Sequence, residues 1–81
     1  MPSINVTRSE DRLRIFSYQT CIKEYFTEDG KEYSIGNTTW YSKTTTRHQK
    51  EEHVWDCDFT IGDVPKGTRS LKNYLDNQRR K

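Results

Sequence analysis

Eighty-one residues leave room for one small domain, and 30% apolar against 32% charged positions, with a mean hydropathy of -1.17, approach the composition of disordered chains. The 12% aromatic content argues the other way. Rings that bury about 150–250 Å² each can build a thin core, although not one deep enough for a large metabolic enzyme. The formal charge of +2 hides an asymmetry: residues 64–81 carry six basic side chains against Asp76, which leaves +5 there and -3 in the residues before.

In chain order, residues 1–11 are polar and are expected to fray or to form an edge. Arg12–Tyr18 has the β-branched and aromatic content of a strand, with Leu13 and Ile15 on one face. Thr20–Thr27 reads as a second strand and Lys31–Ile35 as its partner. Between them Asp29-Gly30 suits the two positive φ angles of a type I′ turn. Gly36-Asn37 reads as another turn, leading into Thr38–Tyr41.

Ser42–Thr46 offers several hydroxyl caps for a short helix, although threonine-rich segments also form strands. Trp55, Cys57, Phe59 and Ile61 alternate with polar residues and predict a half-buried strand with Cys57 pointing inward. Gly62–Gly67 breaks the chain, and Thr68 is a candidate cap for a terminal amphipathic helix that lays Leu71, Tyr74 and Leu75 on a sheet. The expected fold is a single α+β domain over residues 1–81. It has three to four antiparallel strands, one or two helices and a basic tail at 76–81.

The best local candidate for a site is Thr44-Thr45-Thr46-Arg47-His48-Gln49-Lys50. Hydroxyls and backbone N–H groups at a helix start, beside Arg47, His48 and Lys50, suit a phosphate or carboxylate. The alternative is that Thr44 or Thr45 merely caps the helix while His48 packs beside Tyr41. A second basic set, Lys66, Arg69, Lys72, Arg79 and Arg80, suits either nucleic acid or the negative end of its own helix. His48, His53, Cys21 and Cys57 contain the ligand types of a zinc site, but no Cys-x-x-Cys or His-x-x-x-His spacing is present. No residue set has the spacing of a catalytic centre, so no cofactor and no enzymatic activity are expected.

Ser17-Tyr18, Thr20 and Ile22, followed by Tyr41-Ser42, Thr44-Thr45 and Arg47-His48, form the pattern SYxTxI … YSxTTxRH. This resembles a group of small uncharacterised proteins of tailed bacteriophages, prophages and plasmids, over roughly residues 13–50. The resemblance implies an accessory protein of a mobile element, acting in the host cytoplasm. Such a protein would bind a host protein, as an inhibitor in some cases, or alternatively nucleic acid. Neither a signal sequence nor a membrane span is expected. A thin-cored domain also gains by burying a sheet face or edge in a homodimer.

Overall fold

The computed structural model describes residues 4–9 and 12–79; Arg80 and Lys81 of the basic tail lie outside the described residues. The fold is α+β. Its elements are β1 (Ile4–Ser9), β2 (Arg12–Ser17), β3 (Thr20–Glu28), β4 (Lys31–Asn37), α1 (Lys43–Glu51), a 3-10 turn (Val54–Asp56), β5 (Phe59–Ile61) and α2 (Lys72–Arg79). One five-stranded sheet runs in the order β1-β2-β3-β4-β5, one strand more than expected. β1 to β4 pair antiparallel, whereas β5 joins β4 in parallel, with Ile35 opposite Phe59 and Asn37 opposite Ile61. The expected wholly antiparallel sheet is corrected at that edge. A parallel neighbour needs a crossover, and α1 with the 3-10 turn supplies it.

Two hairpins have two-residue connections. Asp29 and Gly30 both adopt positive φ, 53° and 78°, as a type I′ turn demands. Tyr18-Gln19 joins β2 to β3, with Tyr18 held at φ 57°. Beside that turn the register shifts: Ile15 faces Lys23 but Phe16 faces Cys21, so Ile22 is the extra residue of a bulge. Leu13 and Ile15 do share a face. Phe16, on the other face, enters the principal core.

That core gathers Phe16, Cys21, Phe26, Ile35, Ile61, Val64, Leu71 and Leu75, with Tyr33, Phe59 and Tyr74 packed against it. α2 covers this face of the sheet through Tyr74 and Leu75, together with Leu71 just ahead of it. Its start differs from expectation. Thr68 closes a turn with Pro65, and α2 begins only at Lys72. The Leu71 N–H, just before the helix, donates to the carboxylate of Glu24 on β3 at 2.8 Å. A buried charge from the sheet therefore replaces a local hydroxyl cap.

The opposite face is partly covered by α1 and the 3-10 turn. Gly36 shows why. A Cβ there would lie 1.8 Å from the Val54 carbonyl oxygen, so only glycine lets the Val54 backbone pass over β4. Gly36-Asn37 is accordingly strand and not the turn its composition suggests. The expected Trp55–Ile61 strand shrinks to Phe59–Ile61. Ahead of it, the Asp58 carboxylate accepts the Ser34 N–H at 2.9 Å, where a backbone carbonyl would otherwise continue the ladder. Trp55 points to solvent and Cys57 is only half-buried.

Candidate functional site

α1 decides what the Thr44–Lys50 segment can do. Its cap is Ser42, not Thr44 or Thr45: the Ser42 hydroxyl accepts the Thr45 N–H at 3.1 Å, and the Ser42 carbonyl accepts from Thr46. With the helix phased from Ser42, Thr45, His48 and Gln49 fall at i, i+3, i+4 and turn inward. His48 is 1% exposed and its Nδ1 lies 2.7 Å from the Ser17 hydroxyl, which also meets the Thr45 hydroxyl at 3.1 Å. The nearest ring contact recorded for His48 is Tyr18, at 6.1 Å between centroids, and not the expected Tyr41. Nε2 of His48 is buried without a hydrogen-bond partner among the described residues. Gln49 donates to the carbonyls of Asn37 and Thr39, tying α1 to the end of β4.

The segment is therefore split between an inner and an outer surface. Ser17, Tyr18, Gln19 and Thr20 of the β2–β3 turn, Tyr41 and Ser42 before α1, and Thr44 and Thr45 in its first turn line a cleft of about 860 Å³, with Lys66 and Gly67 at its side. Seven residues of the SYxTxI … YSxTTxRH pattern meet there: Ser17, Tyr18, Thr20, Tyr41, Ser42, Thr44 and Thr45. Sequence spacing could not bring these two segments together. The register of the β2–β3 hairpin and the Ser17–His48 bond between β2 and α1 do so.

The outer surface carries Arg47 and Lys50. With Lys43 they lie at i, i+4, i+7 on one face of α1, and together with Trp40, Thr46 and Glu51 they line a shallower groove of about 390 Å³. Trp40 is 70% exposed. No ion pair among the described residues involves Lys43, Arg47 or Lys50. Lys43 did not figure among the expected site residues. The helical period from Lys43 to Lys50, four residues and then three, was the available signal.

The C-terminal basic set does not join this surface. Arg69 lies over the Phe16 ring at 4.9 Å, Lys72 over Phe26 at 4.8 Å and Arg79 over Phe59 at 5.9 Å. Lys72 also pairs with Asp76 at 2.6 Å, and Arg79 with Glu28 at 3.3 Å. These cations close the rim of the core, each gaining from the electron-rich face of a ring. Lys66, by contrast, lines the inner cleft.

Among the described residues, no group of three or more His, Cys, Asp or Glu side chains is placed to hold a metal ion. No helix among them is long and apolar enough to cross a membrane. Comparison with protein-family models, with curated proteins and with solved structures returns no match to this chain.

Proposed function

We propose that the chain is a non-enzymatic binding protein that docks on an acidic surface of a host protein through the outer face of α1. The observation that carries this reading is Trp40, 70% exposed beside three cations that make no ion pair among the described residues. An indole that the fold leaves in water, flanked by an arginine, has the composition of an interface anchor. Lys43 and Lys50 on either side would steer an acidic partner and fix its register.

Nucleic acid is the second reading, favoured by the same cations on a helical stripe. One feature weighs against it. Arg69, Lys72 and Arg79 are spent on aromatic rings of the chain's own core. Three phosphate contacts alone support only weak, salt-sensitive binding.

The test is affinity capture from host cells with the wild-type chain, Trp40→Ala, and a Lys43→Glu/Arg47→Glu/Lys50→Glu variant, their folding verified by circular dichroism. A stoichiometric protein retained by the wild type and lost by both variants is expected. Anisotropy with single- and double-stranded oligonucleotides supplies the other arm. Binding there whose logarithmic salt slope is about -2 to -3 would transfer the assignment to nucleic acid. A partner captured equally by all three proteins would remove the α1 face from either role.

A further inference from the structure

We propose that the inner cleft is a binding site for a phosphomonoester of the nucleotide class. This site shares no lining residue with the α1 outer groove, so the two readings stand or fall separately.

The cleft, at about 860 Å³, falls in the roughly 300–1,000 Å³ range of small-molecule sites. Its hydrogen-bonding balance selects the ligand's charge. Among the described residues, no Asp or Glu lines it and Lys66 is its one cation, outside every ion pair they form. The Thr20 hydroxyl accepts the Gly67 N–H at 2.9 Å, and the Ser42 hydroxyl accepts the Thr45 N–H at 3.1 Å. A hydroxyl that already accepts keeps its own proton to donate. Thr20, Ser42 and Lys66 thus present donors from the hairpin turn, the start of α1 and the loop before α2. A carboxylate offers two oxygens in one plane. A phosphomonoester offers three acceptor oxygens and close to two negative charges, which matches donors arriving from three elements.

The remainder of the volume favours an organic group behind the phosphate. Tyr18, 47% exposed, lines the same cleft, and its ring provides a flat face on which a base can stack. Gln19 and Asn5 add amides able to donate or accept at the edge of a base or to a sugar hydroxyl.

The test is titration of the isotopically labelled full chain, followed by amide NMR shifts, with inorganic phosphate, ribose 5-phosphate, AMP, adenosine and a phosphodiester dinucleotide. Shifts are expected at residues 17–20, 42–45 and 66–67. AMP should bind more tightly than ribose 5-phosphate and inorganic phosphate, with adenosine and the dinucleotide much weaker. Lys66→Ala should weaken AMP by about tenfold or more, the usual loss of a charge-assisted contact, while Lys43→Ala leaves it unchanged. Tyr18→Ala should bring AMP to the affinity of ribose 5-phosphate. The proposal is overturned by silence of the cleft amides toward all three phosphates, or by shifts confined to Lys43, Arg47 and Lys50. Equal affinity for AMP and adenosine, or no loss in Lys66→Ala, would also overturn it. AMP no tighter than inorganic phosphate would overturn the nucleotide class.

Discussion

Cys21 shows how burial alone gives one side chain a measurable signature. It is fully enclosed under the core, with its sulfur 3.4 Å from the Lys23 carbonyl. Burial first, and the negative charge of Glu24 second, push its thiol from 9.0 up to about 12. In the unfolded chain that thiol ionises near 9, whereas in the native state it holds its proton up to about 12. The stabilisation is therefore complete below pH 9 and is lost as pH rises toward 12, at about 1.4 kcal/mol per pH unit inside that window. Urea unfolding of the wild type and Cys21→Ala at about pH 8 and about pH 10.5 should show the wild type losing more stability than the variant. Cys57, half-buried and also raised chiefly by burial, should alkylate first in the native protein. Sequence alternation placed Cys57 inward with Trp55. It could not show that Asp58 would take the Ser34 N–H and end the ladder one residue later. The Thr44–Lys50 segment was legible as a place, but its two faces depended on Ser42 being the cap, a choice among several neighbouring hydroxyls.

At the scale of elements, two glycine-containing dipeptides look alike in sequence and do different work. Asp29-Gly30 is a local device, and its positive φ angles could be anticipated from the residue types alone. Gly36 answers to a residue far along the chain, because it clears a path for the Val54 backbone. No local pattern encodes such a requirement, which is why Gly36-Asn37 reads as a turn and the parallel β4–β5 pairing goes unseen. Alanine substitutions separate the two cases. Gly30→Ala meets no atom within 4 Å and should cost only the positive-φ penalty, about 1–2 kcal/mol. Gly36→Ala forces a backbone to move and should cost about 3 kcal/mol or more, with β5 displaced. Denaturation midpoints for both variants, together with amide protection of Phe59–Ile61, check the contrast.

Across the whole molecule, Glu24 ties three elements together. It is fully buried on β3, receives Arg12 and Arg14 from β2 at 3.4 and 3.2 Å, and accepts the N–H of Leu71 before α2. Both arginine side chains keep 29% of their surface in water, so losing their partner costs less than stranding a fully buried charge. Glu24→Ala should therefore destabilise by about 2–3 kcal/mol, and should selectively speed amide exchange at Leu71. The overall class was legible because one clear hairpin and one amphipathic helix define it. The anchoring of that helix by a carboxylate 47 positions earlier was not. The parallel β4–β5 pairing has a kinetic consequence. Two-residue turns bring β2, β3 and β4 together across short loops, whereas Ile35 meets Phe59 only after the entire α1 crossover has been laid down. The hairpins are expected to form early and the β5 edge to seal late, with partial unfolding expected to run in the reverse order. Trp40 lies within this late-closing crossover, so a partner seated on it would clasp the part of the chain that opens first and lengthen the lifetime of the native state.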